Sequence, residues 1–219
     1  MAVSRDAIVD QLLASFAAGR RAEAPYPHWF LKDCVSSAAL DEILALPFPA
    51  PALGGVSGKR EIHNATRRYF DQENMGRFPI CRAFNEAFQS REVTGAVEHT
   101  FGSRLAGTYL RVEFAQDTDG FWLEPHTDLG VKSFTMLLYA SREPAHAGLG
   151  TDIYDAEKRH LGRSPFTPGG AMVFVPSKVT YHGFEARPIS GVRKSIIINY
   201  VTNEWRAREQ LAYPDRPVA

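Results

Sequence analysis

The sequence predicts a mainly β protein of the α+β class, in which a jelly roll or β-sandwich is flanked by amino-terminal helices. Two features of the chain carry this prediction. In the first half, apolar residues recur at intervals of three and four, whereas from about residue 105 they alternate with a period of two. Gly, Pro, Asp and Ser interrupt the second half at short intervals. Short strands that follow a helical half are typical of a β core with helices packed against it.

Helices are expected in three stretches of the first half. Residues 5–19 and 79–90 place apolar side chains on one face of a helix, and residues 36–46 begin with serines that can cap a helix. Residues 25–35 are expected to be an extended entry strand, because prolines at its start block helix continuation. Residues 54–77 show no clean period, which predicts a long excursion that is either a lid over a site or an ordinary solvated loop.

Seven segments of the second half have the strand pattern of alternating, β-branched and aromatic residues. They are 108–114, 121–129, 133–141, 150–155, 170–177, 179–188 and 193–202. We expect one domain, 1–219, in which 1–104 supplies helical and loop support with a possible lid, 105–203 forms the core, and 204–219 is a short helix with a polar tail.

The composition argues for a locally recognised small substrate. The 219 residues include 25 basic and 25 acidic ones, so no overall field draws the protein to nucleic acid or an anionic membrane. We expect a monomer or homodimer whose partner is a small-molecule, amino-acid or carbohydrate substrate. Cys34 and Cys81 lack metal-finger spacing, which predicts buried or incidental thiols in a reducing cytoplasm. No signal-peptide pattern opens the sequence, and no stretch of about eighteen apolar residues could span a bilayer.

A metal site is predicted from three residues. His126 and Asp128 are two apart on an expected strand, so both side chains project from the same face. His182 follows 54 residues after Asp128, on a later strand. Two imidazoles and one carboxylate leave three coordination positions open, which is the arrangement that non-haem Fe(II) uses. Taken singly, the alternatives are a hydrogen-bonded pair on a polar strand and a satisfied core histidine.

A carboxylate clamp is predicted on the last strand. Arg193 lies eleven residues after His182, and Ser195 projects from the same face of the strand. A guanidinium matches a carboxylate with a planar fork, and a neighbouring hydroxyl can complete the hydrogen bonding. Ile196 and Ile198 occupy the opposite face and are expected to pack against the helices.

With these residues, the sequence resembles the Fe(II)/2-oxoglutarate-dependent dioxygenase superfamily over about residues 105–203. The shared pattern is HxD, then a distal His about fifty residues on, then an Arg followed two positions later by Ser or Thr. The resemblance implies a double-stranded β-helix, which is a jelly roll and agrees with the strand pattern.

The resemblance also implies roles for individual residues. His126, Asp128 and His182 would be the iron ligands, and Arg193 with Ser195 would hold the C5 carboxylate of 2-oxoglutarate. The implied activity is hydroxylation of a substrate C–H by O2, coupled to conversion of 2-oxoglutarate into succinate and CO2. Retention of Asp128 argues against the halogenating branch, in which a small residue at that position leaves a site for halide.

Further cavity residues are proposed from the alternation of strands. Tyr109, Arg111 and Glu113 share one face of the first core strand, and polar side chains that repeatedly face inward favour a lined cavity. Tyr109 is a candidate contact of the cosubstrate. Arg111 is expected either to meet a substrate carboxylate or to form a salt bridge with Glu113. Asn199 shares a face with Arg193, so it either touches the cosubstrate or makes a structural hydrogen bond.

Four more side chains are candidates for the substrate pocket. Trp122 precedes the HTD segment and forms either a pocket wall or core packing. Asn64 and Arg67 either face a substrate or belong to a solvated loop. Tyr139 is a candidate hydroxyl for the cosubstrate.

Two rival classes remain open at this point. One is a jelly-roll metal or ligand binder without turnover, such as a sensor, although such a protein has no need for Arg193 and Ser195 at their spacing. The other is a zinc hydrolase in which a carboxylate such as Glu124 acts as the base.

Overall fold

A computed structural model gives the structure of the chain and describes residues 2–50, 58, 67–128 and 130–219. The helices are α1 (Arg5–Ala17), α2 (Ser37–Leu44), α3 (Gln72–Arg77), α4 (Pro79–Gln89) and α5 (Arg91–Phe101). The strands are β1 (Arg20–Ala22), β2 (His28–Leu31), β3 (Arg68–Tyr69), β4 (Tyr109–Asp117), β5 (Leu123–His126), β6 (Lys132–Tyr139), β7 (Asp152–Tyr154), β8 (His160–Arg163), β9 (Ala171–Phe174), β10 (His182–Phe184) and β11 (Arg193–Val201). The described part of the chain also contains the short 3-10 helices Pro144–His146 and Arg208–Gln210.

Two antiparallel sheets form the β core. The larger sheet has the strand order β1-β2-β9-β6-β11-β4-β3, and the smaller has the order β5-β10-β7-β8. At the centre of the larger sheet, β11 pairs along its whole length with β4, from Arg193 opposite Asp117 to Val201 opposite Tyr109. On its other side β11 pairs with β6, where Ser195 lies opposite Tyr139. The predicted mainly β jelly roll is therefore confirmed.

The alternation along β11 divides the core into two layers. Ile196 and Ile198 are fully buried among the residues of α1, α4 and α5, as the sequence predicts. Ile197 faces the other way, into a second apolar cluster that contains Phe174 of the larger sheet and Phe184 of the smaller sheet. The helices thus cover one face of the larger sheet, and the smaller sheet covers the other. Functional side chains on the inner face of β11 consequently point between the two sheets.

The sequence located the helices at 5–19, 36–46 and 79–90 correctly, as α1, α2 and α4. Ser36 caps α2 with its hydroxyl, which accepts a hydrogen bond from the backbone N–H of Ala39. The entry strand predicted in 25–35 is β2. Cys34 and Cys81 are buried free thiols. Among the described residues, no helix is both long and apolar enough to cross a membrane.

Several elements were not predicted. Helix α5 begins at a Ser90 cap, ends at Gly102 and buries Val93, Val97 and Phe101 at intervals of four, so its pattern was present in the sequence. Helix α3 and strand β3 lie within the stretch 54–77 that was expected to be irregular, half of which is outside the described residues. Strands β1 and β8 were also missed, since both are short and largely exposed. The assignment of 1–219 to one domain stays a prediction.

Candidate metal centre and its cavity

His126 and His182 meet as a cross-strand pair. They are the last residue of β5 and the first residue of β10, and they lie directly opposite each other in the smaller sheet. Their ring centroids are 4.3 Å apart. The next residue of β10 is Gly183, where a Cβ would lie 2.7 Å from the backbone oxygen of Leu123. Glycine at this position therefore allows the two strands to approach closely enough to bring the imidazoles together.

Backbone hydrogen bonds fix the tautomer of both imidazoles. Nδ1 of His126 lies 2.8 Å from the carbonyl oxygen of Glu124, and Nδ1 of His182 lies 3.1 Å from that of Thr180. A carbonyl only accepts, so in each ring Nδ1 carries a proton, and in the neutral form of the ring Nε2 presents its lone pair. Both histidines repeat the same contact, with the residue two positions before them. This is the arrangement in which metal-binding histidines are held by the protein.

Asp128 brings a carboxylate to the two lone pairs. Its Oδ1 lies 3.9 Å from Nε2 of His126, and its Oδ2 lies 3.7 Å from Nε2 of His182. One potential ligand atom from each residue lies within 4.8 Å of the other two. The sequence placed Asp128 on the same strand as His126, but β5 ends at His126 and Asp128 lies two residues beyond it. The predicted convergence of the three side chains is present, although Asp128 lies beyond the end of the strand and not on it.

Two residues of β6 orient the Asp128 carboxylate. Lys132 donates to Oδ1 at 2.7 Å, and the hydroxyl of Thr135 donates to Oδ2 at 2.9 Å. Gly130, just before β6, has φ of 110°, a conformation that favours glycine. Both donors thus reach the Asp128 carboxylate from β6.

The electrostatics of the centre favour the metal-binding protonation states of Asp128 and His182. Burial raises the pKa of the Asp128 carboxyl, but Lys132 and the two imidazoles outweigh burial and hold that pKa well below its usual range. Burial lowers the pKa of His182 to about 3, an effect that His126 strengthens and Asp128 opposes. At neutral pH the centre thus contains a neutral imidazole at His182 beside a carboxylate anion. This donor set fits a divalent transition metal, and two His with one carboxylate is the facial set that non-haem Fe(II) uses.

Arg193 and Ser195 project from β11 into the same cavity as the three candidate ligands. Arg193 is 3% exposed, donates from Nη1 to Asp117 at 2.5 Å and donates from Nε to the carbonyl of Leu149 at 2.7 Å. Its guanidinium lies over the ring of Phe184, 4.8 Å from the centroid. The arginine is therefore held rigidly by protein contacts at one end of β11, as a preorganised anion site requires.

Arg111 and Arg67 also line this cavity. Arg111 is 1% exposed, and all three of its nitrogens donate to protein acceptors, which are Gln210, Asn199, Tyr69 and Glu113. Arg67 donates to both oxygens of the Glu113 carboxylate, from Nε at 2.9 Å and from Nη2 at 2.5 Å. The salt bridge between Arg111 and Glu113, one of the two alternatives given by the sequence, is thus present.

The remaining candidates lie in different surroundings. Asn199 lines the cavity, accepts from Arg111 and donates to the hydroxyl of Thr135 at 3.0 Å. Tyr139 is buried behind the cavity, where its hydroxyl donates to Thr151 at 3.0 Å. The Trp122 ring packs beside Gly58, and the Tyr109 ring stacks on the guanidinium of Arg208 at 3.9 Å. None of these last three is among the described residues that line the cavity. Asn64 lies outside the described residues.

Sequence reasoning missed three important residues. Lys132 and Thr135 hold Asp128 across a turn, and Asp117 holds Arg193 across the β4–β11 pair. Lys132 lies at i+4 from Asp128, so its proximity was visible, but its inward direction was not. Asp117 lies on the same alternating face as Arg111, so its inward direction could have been predicted from the sequence. It was not, because the predicted strand 108–114 ended before Asp117.

A second group of potential ligands consists of Asp152, His160 and Glu185. Here the Asp152 carboxylate is fully buried and accepts from Arg163 at 2.7 Å and from Arg187 at 2.5 Å. Two guanidinium groups already neutralise this carboxylate and would repel a metal ion, so we interpret the group as a structural ion-pair network.

No protein-family model matches the sequence, and no curated protein matches it either. Solved structures do match. Prolyl 4-hydroxylases from Phytophthora capsici superpose with a TM-score of 0.61 at 10% identity, over 94% of this chain and 68% of that chain. A prolyl hydroxylase from Trichoplax adhaerens, in complex with a hypoxia inducible factor oxygen degradation domain peptide, gives 0.58 at 13% identity, over 93% and 91%. The non-heme alpha ketoglutarate dependent epimerase SnoN from nogalamycin biosynthesis gives 0.52 at 14% identity, over 90% and 84%.

These likenesses define the class of fold. The chain has the jelly-roll fold of the Fe(II)/2-oxoglutarate-dependent oxygenases, and it carries a His-Asp-His group able to hold a metal in that fold. The predicted resemblance to this superfamily is confirmed at the level of the fold.

Proposed function

We propose that this protein is an Fe(II)- and 2-oxoglutarate-dependent oxygenase that hydroxylates a small metabolite, an amino-acid unit or a carbohydrate unit. His126, Asp128 and His182 would hold Fe(II), and Arg193 with Ser195 would bind the C5 carboxylate of 2-oxoglutarate. When bound, the iron and its cosubstrate supply the chemistry that activates O2 and releases succinate and CO2. The protein's own residues bind, orient and enclose the reactants.

One observation carries this proposal: two imidazole lone pairs and a carboxylate face one another without a hydrogen bond among them. The Nε2 to oxygen distances are 3.7 and 3.9 Å, and in a neutral imidazole whose Nδ1 proton goes to a backbone carbonyl, Nε2 is an acceptor. Acceptors that converge in this way favour a cation that all three can share. A divalent metal is therefore the group that this geometry favours.

Access to the centre supports a role in turnover rather than in metal storage. Of the three side chains, His182 and Asp128 are each 6% exposed, whereas His126 is 33% exposed. A bound metal would be enclosed by protein on one side and open toward the cavity on the other, where Arg193 and Ser195 also project. A metal store or sensor has no need for this carboxylate clamp.

The shared cavity supports a cosubstrate that extends from the metal toward Arg193. Thr135 bonds both Asp128 and Asn199, so the metal centre lies near Asn199 of β11. Arg193 and Ser195 project from the same face of that strand and line the same cavity as Asn199 and the three candidate ligands. Asn199 is held between Arg111 and Thr135, and its contact with the cosubstrate, like those of Tyr109 and Tyr139, stays a prediction.

Hydroxylation is the reaction we favour, because prolyl hydroxylases are among the proteins of similar fold and because Asp128 is present, unlike in halogenating relatives. The epimerase of similar fold shows that this fold also carries other outcomes. The zinc hydrolase alternative loses support, since the Glu124 side chain is exposed and is not among the described residues that line the cavity. A cytoplasmic location and a monomeric or homodimeric state stay predictions.

The test is anaerobic loading with Fe(II) and 2-oxoglutarate, followed by exposure to air. We expect a weak visible charge-transfer absorption before air and succinate after it, with both lost in His126→Ala. His146→Ala serves as the matched control, because His146 is a buried histidine bonded to the carbonyl of Ser190 and is not among the described cavity residues. If wild-type protein develops no absorption and forms no succinate from 2-oxoglutarate, with or without added metabolite extracts, the proposal is wrong.

A further inference from the structure

An irregularity in β6 brings the Lys132 side chain into the metal centre. Regular alternation along a strand would place Lys132 and Thr135 on opposite faces of the sheet. The register between β6 and β11 shifts at this end of β6, where Ser133 is one residue in excess. Lys132 therefore reaches the same side as Thr135, and both side chains donate to Asp128. Bulges of this kind occur beside active sites, where they re-aim a side chain, so the bulge indicates a specific role for Lys132.

The Lys132 ammonium has hydrogen-bond donors to spare beside the metal centre. Its Nζ donates to Oδ1 of Asp128 at 2.7 Å, and this is its one hydrogen bond to the part of the chain that the structure describes. An ammonium carries three N–H donors. The same Oδ1 lies 3.9 Å from Nε2 of His126, so a single carboxylate oxygen separates the ammonium from the point on which the candidate ligands converge. Lys132 also lines the cavity, so a ligand in the cavity can reach it.

The charge of Lys132 is balanced only while the centre holds no metal. Lys132 and Asp128 then neutralise each other. A divalent metal would share that carboxylate with the ammonium, so the metal, Lys132 and Asp128 together would carry two positive charges. The Asp128 side chain is 6% exposed, so water screens these charges weakly. Orienting a carboxylate needs no charge, because Thr135 holds the other oxygen with a neutral hydroxyl. The ammonium therefore favours a ligand that brings negative charge to the metal.

We propose that Lys132 is a cosubstrate-binding residue, which attracts and hydrogen-bonds the carboxylate that 2-oxoglutarate places next to the metal. This inference rests on the proposed function and adds a second cation to the same site. The two cations then divide the dianion between them, with the C5 carboxylate at Arg193 and the C1 carboxylate at Lys132. Consequently, Lys132 should strengthen the binding of any 2-oxo acid, with or without a distal carboxylate, whereas Arg193 should strengthen only the binding of acids that have one.

The experiment titrates two 2-oxo acids into protein saturated with Fe(II) without O2, and follows the charge-transfer absorption. The probes are 2-oxoglutarate and 2-oxovalerate, which has the same chain length but lacks the distal carboxylate and so reports the metal end alone. Lys132→Gln removes the charge but keeps a neutral donor. It should weaken the binding of both acids by a similar factor of about tenfold or more, and Lys132→Arg should restore most of the affinity. Metal affinity is measured first for each variant, so that every titration starts from metal-saturated protein.

Two further variants separate charge from the orientation of Asp128. Thr135→Val removes the other donor to Asp128 without changing the charge, so it should weaken 2-oxo acid binding to the metal-saturated protein less than Lys132→Gln does. Lys178→Gln is the matched control, because Lys178 is exposed and is not among the described residues that line the cavity. The inference is overturned if Lys132→Gln binds both acids as tightly as wild type, if it weakens 2-oxoglutarate but not 2-oxovalerate, or if Thr135→Val has an equal effect.

The same titrations separate this inference from the proposed function. If wild-type protein gives no absorption with 2-oxoglutarate, the proposed function fails. If it does so while Lys132→Gln binds as wild type does, only the role of Lys132 fails. Should Lys132→Gln fold poorly, Lys132→Met takes its place under the same criteria. Should 2-oxovalerate bind too weakly to titrate, 2-oxoglutarate alone decides, and the loss in Lys132→Gln must again exceed the loss in Thr135→Val.

Discussion

Replacing Asp117 by Asn removes the negative charge that holds Arg193 before the cosubstrate binds. The two side chains are 2% and 4% exposed, and Nη1 of Arg193 lies 2.5 Å from Oδ2 of Asp117. Breaking a buried ion pair by removing one partner costs about 3–5 kcal/mol, and we take the lower end because Asn still accepts a hydrogen bond. A loss of about 3 kcal/mol lowers the melting temperature of a chain of this size by roughly 6–12 °C.

The informative result is how 2-oxoglutarate changes the difference in melting temperature between Asp117→Asn and wild type. In Asp117→Asn, the C5 carboxylate would supply the anion that Arg193 has lost, so Mn(II) with saturating 2-oxoglutarate should stabilise the variant more than wild type. Differential scanning fluorimetry with and without 2-oxoglutarate measures both shifts. Glu73→Gln is the control, since Glu73 forms an exposed pair with Arg77 that contributes at most about 1 kcal/mol. If the difference in melting temperature between Asp117→Asn and wild type stays the same after 2-oxoglutarate is added, the assignment of Arg193 as the clamp is refuted.

Three further outcomes are expected. Thr135→Val removes a donor to Asp128 and should weaken Mn(II) binding about 10- to 100-fold in a metal-competition titration. Thr94→Val should not, because Thr94 is a buried threonine of α5 whose hydroxyl donates to the carbonyl of Ser90. Phe84→Ala empties a fully buried site in α4 and should cost about 3–5 kcal/mol in urea unfolding; a loss below about 1 kcal/mol would contradict the packing of the helices on the sheet. Burial raises the pKa of Asp152, but bonds from two arginines and a backbone N–H outweigh burial and lower it. Its stabilising effect is therefore present above about pH 4 and lost as pH falls further, so urea midpoints of Asp152→Asn should depend less on pH between about 5 and 2 than those of wild type.

The parts of the fold that the sequence predicts are those encoded by local pattern. The alternation of 193–202 identified β11, the most extensively paired strand, and correctly assigned Ile196 and Ile198 to the helix side. Helices α1, α2 and α4 were predicted because each has a local sequence signal, either apolar residues on one helix face or a capping residue. The short strands β1, β3 and β8 carry no such pattern, because they exist through pairing with a neighbour rather than through their own burial.

The sequence predicted which residues are candidates for the metal centre, but not the contacts that orient them. The spacing of His126, Asp128 and His182, taken together with Arg193, Ser195 and the superfamily resemblance, grouped these three residues as candidate ligands. Their orientation depends on contacts between distant segments, such as the close approach of Leu123 to Gly183. The sharing of Glu113 by two arginines likewise involves three separate parts of the chain, which no local pattern encodes.

Crystals of the protein grown with Mn(II) and 2-oxoglutarate without O2 would test the metal centre most directly, through anomalous diffraction from the metal. The account predicts one strong peak at about 2.0–2.2 Å from Nε2 of His126, Nε2 of His182 and a carboxylate oxygen of Asp128. It also predicts density for 2-oxoglutarate that reaches from that peak to Arg193. A peak held by Asp152 and His160 instead, or a metal that contacts only one of the two predicted histidines, would contradict the account.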